Sequence, residues 1–159
     1  MKDYDNGTIR VRPSVKDDIS PIADNLRESD RAEIWASNHI EPYEAIKKGF
    51  DKAIYCRTIE NGSPIAMFGV CPQELLGQRA TIWLLGTEDI NKIKIKFLRH
   101  CKEYVSAMLE YYEYLENYVD VRNSQCIAWL KYLGAEFDKP EPYGVEGQMF
   151  QHFSFKRKK

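Results

Sequence analysis

The feature that most constrains this chain is a strand-like run that hands over, within a few residues, to its longest helical pattern. Arg79–Leu85 is apolar and β-rich, and Gly86 interrupts it. From Ile90 onward, Ile93, Phe97, Leu98, Cys101, Tyr104, Val105, Met108, Tyr112 and Leu115 recur at steps of three and four. That spacing lays a wide apolar stripe along one side of a helix and predicts a helix over 90–115. The alternating run Tyr118–Val121 follows as another strand. A strand, a long helix and a second strand return side by side and parallel as a crossover unit. The chain is thereby directed to an α/β fold with a mixed sheet.

The flanking segments extend that sheet. Thr8–Arg12 alternates and stops at Pro13, as a first or edge strand does. Helical spacing follows over Asp17–Glu28 and again around Ala32, Ile34, Trp35 and Ala36, with Ser29 or Asp30 as the cap of the second helix. Pro42–Lys52 forms a third short helix. Ala53–Ile59 and Pro64–Val70 bracket Asn61-Gly62, the strongest short-range hairpin signal, and Arg79–Leu85 completes an antiparallel meander. Beyond the crossover, Asn123 or Ser124 caps a helix ending at Gly134, and Met149–Phe155 alternates as a terminal strand.

Composition narrows the function classes. A length of 159 residues suits one domain, expected over 1–155, followed by a basic flexible tail at 156–159. The net charge of −1 predicts no general attraction to nucleic acid. The cysteines at 56, 71, 101 and 126 are scattered without a CxxC pair, and the polar start Met1–Asn6 is unlike a leader. A reduced, intracellular compartment and no membrane span are expected. His39, His100 and His152 lack ligand spacing, so no metal is expected.

This element order resembles the GNAT N-acetyltransferase fold. Ile9–Arg12 with Asp17 or Asp18 resembles the family's first strand and helix start, and the Asn61-Gly62 hairpin its second and third strands. Val121-x-Asn123 and Trp129–Gly134 resemble its fifth strand and the helix along the cofactor. Narrower strings, Trp83–Thr87, Asn117–Asn123, Trp129-Leu130-x-x-Leu133-Gly134 and Phe150-x-x-Phe153, resemble the phage internal virion protein A family, a small GNAT-like group of tailed phages and prophages.

The resemblance implies acetyl-CoA, its pyrophosphate held by a Gln- or Arg-led, glycine-rich loop between the fourth strand and the long helix. The physical basis is that free N–H groups and a helix N-terminus cradle an anion. Here the interval is Gly86-Thr87-Glu88-Asp89-Ile90-Asn91-Lys92, with a single glycine and no leading Gln or Arg. Thr87 reads instead as an N-cap, and Glu88 and Asp89 as first-turn carboxylates that complement the dipole and oppose a second anion. The family's proton-donating tyrosine, seven residues after the position of Asn123, is matched by Leu130. Tyr132 lies about 200° further round the helix. Tyr118 is the other tyrosine near the expected cleft, with packing as its plainer role. No catalytic residue is assigned.

One pattern points the other way. Lys92, Lys94, Lys96, Arg99 and Lys102 precede Glu103, Glu110, Glu113 and Glu116, the reverse of what a helix dipole favours. Lys92, Lys96 and Arg99 share a face that reads as solvated charge or as a contact for a phosphate, an acidic partner or nucleic acid. The expectation is a phage or prophage GNAT-fold protein with a degenerate acetyl-CoA site, partnered by virion or host proteins. It would act as an internal virion, ejection-associated or host-interacting factor in the host cytoplasm or the particle. The alternative is an active N-acetyltransferase. If acetyl-CoA binds, Leu84, Leu85, Thr87, Lys92, Lys96 and Asn123 are the residues expected to touch it.

Overall fold

The Asn61-Gly62 turn joins two strands as its residues predict. In the computed structural model, β1 (Arg10–Pro13), β2 (Tyr55–Glu60), β3 (Pro64–Pro72) and β4 (Arg79–Gly86) run antiparallel in succession. The structure describes residue 5 and residues 7–159, apart from the side chains of 94–96. β5 (Tyr114–Asp120) lies parallel to β4, as the crossover argument requires. Two short strands, β6 (Glu136–Phe137) and β7 (Glu141–Tyr143), both pair with β8 (Gln148–Lys156), which runs antiparallel to β5.

Alternation along β4 divides the core. Ala80, Ile82 and Leu84 join the cluster under α4 (Lys94–Tyr111) and α5 (Ser124–Leu133). Trp83 and Leu85 turn to the opposite face, against α1 (Ile19–Asp24) and α3 (Pro42–Lys52), where Ile19, Ile22 and Ile46 are fully buried. Burying each such side chain is worth about 1.5–3 kcal/mol. Near β1, burial alone would push the Asp18 carboxyl up, but Arg12, the Val15 N–H and Thr58 together hold it below the usual carboxylate range.

The long helix is shorter than its spacing predicts. Residues Glu88–Lys92 form a 3-10 turn, α4 begins at Lys94, and Tyr112 is already extended (φ −131°, ψ 137°). Leu115 belongs to β5, where it is fully buried together with Val119. Steps of three and four continue from Met108 through Tyr112 to Leu115, so the spacing alone does not mark where the helix stops. The reversed charge pattern shortens with the helix, since Lys92 precedes it and Glu113 and Glu116 follow it, while Lys94, Lys96, Arg99 and Lys102 still precede Glu103 and Glu110 within α4.

Lys156 closes β8, and the Arg157 guanidinium donates to the Leu109 and Glu110 carbonyls at 2.6 and 2.9 Å, covering the C-terminal end of α4. The predicted cap of α5 is as expected: Asn123 Oδ1 accepts from the Cys126 N–H, and Gly134 ends the helix at φ 96°. Neither Ser29 nor Asp30 caps the second helix. α2 runs Glu28–Asn38, with Arg27 in the cap position and no side-chain cap bond.

A cleft where two parallel strands part

Parallel strands that start together need not stay together. β4 and β5 pair only at Arg79↔Tyr114, Ala80↔Leu115 and Thr81↔Glu116, and then diverge. Asn117 sits at the fork and serves both sides. Its Nδ2 donates to the Ile82 carbonyl at 2.7 Å, and its Oδ1 accepts from the Tyr118 N–H at 2.8 Å. Since backbone groups alternate along a strand, Leu84 turns its N–H and C=O into the same gap.

The gap opens a cleft of about 520 Å³ that crosses the sheet, within the usual size of a ligand site. Trp83, Lys48 and Lys52 line it on one face, and Phe97, Trp129 and Leu133 on the other. Leu84 and Leu85 lie on its wall, and Tyr118 lies on the opposite wall, stacked on Tyr143 at 3.9 Å between ring centroids.

α2 crosses the open end of the fork and places a carboxylate on each strand. Asp30 Oδ2 accepts the Gly86 N–H at 3.0 Å, and the Gly86 carbonyl accepts the Arg27 N–H at 3.0 Å. Glu33 Oε1 accepts both the Asp120 N–H and Asn123 Nδ2, each at 3.1 Å. Asp30 is paired with the Arg27 guanidinium at 2.9 Å, yet burial pushes its carboxyl up. Burial also pushes Glu33 up to about 7, with the Asn123 hydrogen bond pulling the other way and the neighbouring Asp30 adding to the rise. Asp120, a third buried acid, is paired with Arg122 at 2.6 Å.

The other end of α2 is held by the chain terminus. The turn between β7 and β8 donates the Val145 and Glu146 N–H groups to the Ser37 and Ala36 carbonyls at 3.1 and 3.3 Å. Gly144 makes this approach possible: its φ is +76°, and a Cβ there would lie 2.5 Å from the Ser37 Cα.

The remaining residues expected to touch a cofactor scatter. Thr87 makes no cap bond; its N–H donates to the Ile65 carbonyl at 2.8 Å, and its buried hydroxyl has no partner among the described residues. Lys92 is exposed and paired with Asp89 at 2.9 Å. The side chain of Lys96 lies outside the described residues. Asn123 stands at the edge of the site through its bond to Glu33. Sequence reasoning missed Asp30 and Glu33 as site residues. Their spacing of three on one helix face was the available signal, but it reads equally as an ordinary helix start. Among the described residues no helix is long and apolar enough to cross a membrane.

This mixed α/β fold matches that of GNAT acetyltransferases of known structure. Spermidine N-acetyltransferase from Vibrio cholerae, solved in complex with CoA and spermine, superposes with a TM-score of 0.66 at 11% identity over 95% of this chain and 96% of that one. Ribosomal-protein-alanine N-acetyltransferase from Brucella melitensis gives 0.69 at 11% identity over 92% and 99%. At that identity the likeness is one of fold. A model of the family described as "Bacteriophage T7, probable scaffold protein Gp13" matches residues 64–141, a span that contains the Trp83–Thr87, Asn117–Asn123 and Trp129–Gly134 strings. The probable scaffold protein gp13 of Escherichia phage T7 is 34% identical over 131 residues, which cover 77% of this chain and 88% of that protein. The chain belongs to this phage family.

Proposed function

We propose that this chain works as a phage particle protein, in assembly, as an internal virion component or in ejection, on a GNAT scaffold whose acetyl-CoA site is degenerate. The observation that carries the reading is the Asp30 contact. A diphosphate needs free N–H groups and positive charge at the end of β4. There the Gly86 N–H is already given to a carboxylate, the Thr87 N–H to Ile65, and the Ile90 N–H to Thr87. Glu88 and Asp89 add exposed negative charge, and Lys92 is spent on Asp89. These residues do not fit a diphosphate. Leu84, Leu85 and Asn123 are the contacts we assign to any ligand that enters the cleft itself. The kinship with a phage scaffold protein supports the particle role, with the protein made in the host cytoplasm and acting on virion or host proteins.

Calorimetric titration of acetyl-CoA into the purified protein tests the degenerate site, with absence of heat at high ligand as the expected result. Micromolar binding that disappears in Lys92→Ala or Lys96→Ala overturns it. Mass spectrometry of purified particles tests the particle role: the protein is expected there, and its absence from particles leaves a host-directed role.

Glu33 favours a second reading, an N-acyltransferase. A carboxyl that titrates near pH 7 in a cleft suits accepting a proton from an attacking amine. Turnover of an amine with acetyl-CoA, lost in Glu33→Gln, would establish that reading in place of the first.

A further inference from the structure

At the end of the sheet away from Gly86, the chain exposes apolar side chains that its own fold does not use. Leu75 and Leu76, in the loop between β3 and β4, are 97% and 93% exposed. Ile54, just before β2, is 55% exposed, and Tyr111, the last residue of α4, is 63% exposed. Topology brings these together. The start of β2 pairs with the end of β3, the start of β4 pairs with the start of β5, and Tyr111 lies just ahead of β5. Two adjacent leucines this exposed, at an end of the sheet that also exposes Ile54 and Tyr111, mark an interaction site.

The leucine loop is held in place. Gln73 N–H donates to the Arg79 carbonyl at 3.2 Å, and Tyr114 N–H donates to the Gln78 carbonyl at 3.1 Å, anchoring the loop to β4 and β5. The Arg79 guanidinium lies over the Tyr114 ring at 4.3 Å, flanking it. A loop fixed at both ends loses less freedom on binding than an unanchored one.

Charge identifies the occupant. Glu74 precedes the leucines and is exposed, while Lys48 and Lys52 are exposed at the nearby mouth of the cleft, beside Gln73. None of the three has an ion-pair partner among the described residues. One patch therefore carries apolar anchors and both signs of unpaired charge. A surface that contains its own complement is what a two-fold contact between identical chains requires, since each residue then meets its opposite across the axis.

We infer that this end of the sheet is a self-association surface whose partner is a second copy of the chain, with Leu75 and Leu76 buried at the axis. Glu74 of each copy faces Lys48 and Lys52 of the other. Leu75 and Leu76 lie at the opposite end of β4 from Gly86, so failure of the association leaves the reading of the Gly86 end untouched.

Sedimentation equilibrium over a wide concentration range tests it. The wild-type chain is expected at twice its chain mass at the upper concentrations. The double substitution Leu75→Glu, Leu76→Glu is expected to weaken association by at least a hundredfold, with an unchanged circular-dichroism melt reporting an intact fold. Glu74→Lys is expected to weaken it about tenfold, and combining that change with Lys48→Glu and Lys52→Glu is expected to restore it. A wild-type chain that stays monomeric, a double variant that still dimerises, or a charge exchange that fails to restore association overturns the inference.

Discussion

Glu33 makes a prediction whose size can be worked from the structure. Its carboxyl has an ordinary value of 4.5 and is pushed up to about 7 by burial on α2. A raised carboxyl means that the folded chain holds its proton more tightly than the unfolded chain. The contribution of this group is therefore most favourable below pH 4.5, declines as pH rises, and is fully lost once pH passes about 7. Each tenfold in proton affinity is worth about 1.4 kcal/mol, so the change across that window is ~3 kcal/mol. Glu33→Gln keeps an oxygen for the Asp120 N–H and Asn123 Nδ2 but cannot ionise. The variant is expected to match the wild type near pH 4 and to exceed it by ~3 kcal/mol at pH 8, or ~6–12 °C in melting temperature. Urea denaturation of both proteins at a series of pH values measures this. Asp30 titrates in both, so the quantity that decides is the difference between the two profiles. Parallel profiles from pH 5 to pH 8 would refute the argument that Glu33 is charged at a cost.

Two further outcomes follow from buried or capping charges. Asp18→Ala leaves Arg12, the Val15 N–H and Thr58 without their acceptor and is expected to cost ~3–5 kcal/mol. Because the Asp18 carboxyl is held below its ordinary 3.8, its stabilisation is present above that pH and is lost only as pH falls further, so wild type and variant should converge in acid denaturation. Arg157→Ala uncovers the Leu109 and Glu110 carbonyls and is expected to cost about 1 kcal/mol by chemical denaturation, whereas Lys158→Ala should cost nothing measurable.

The parts of the fold legible in the sequence are those governed by neighbours along the chain. Asn61-Gly62 names its hairpin, Asn123 caps α5 three residues ahead, and Gly134 ends the same helix, each through chemistry within one turn. The C-terminal limit of α4 was hidden because Met108, Tyr112 and Leu115 continue the helical steps of three and four past the point where the backbone becomes extended. β6 and β7 are short and exist by pairing with β8, so no local pattern announces them. The site was less legible still. Glu33 gains its character from Asp120 and Asn123, which lie 87 and 90 positions further along. Read alone, Glu28–Asn38 is an acidic surface helix. Only the divergence of β4 and β5 gives its carboxylates strand ends to hold.

The turn around Gly144 bears on the order in which the molecule can be completed. α2 leaves the ribosome early, yet the groups that fix its C-terminal end arrive with Val145 and Glu146, and β8 comes last of all. Contacts of such long range form late and slow the search for the native state. Until synthesis ends, β5 lacks its antiparallel neighbour and the acidic wall of the cleft lacks one of its two anchors. The cleft is thus a product of the whole chain, and a version cut short before Gly144 would keep the β1–β4 meander while leaving the C-terminal end of α2 without its anchor.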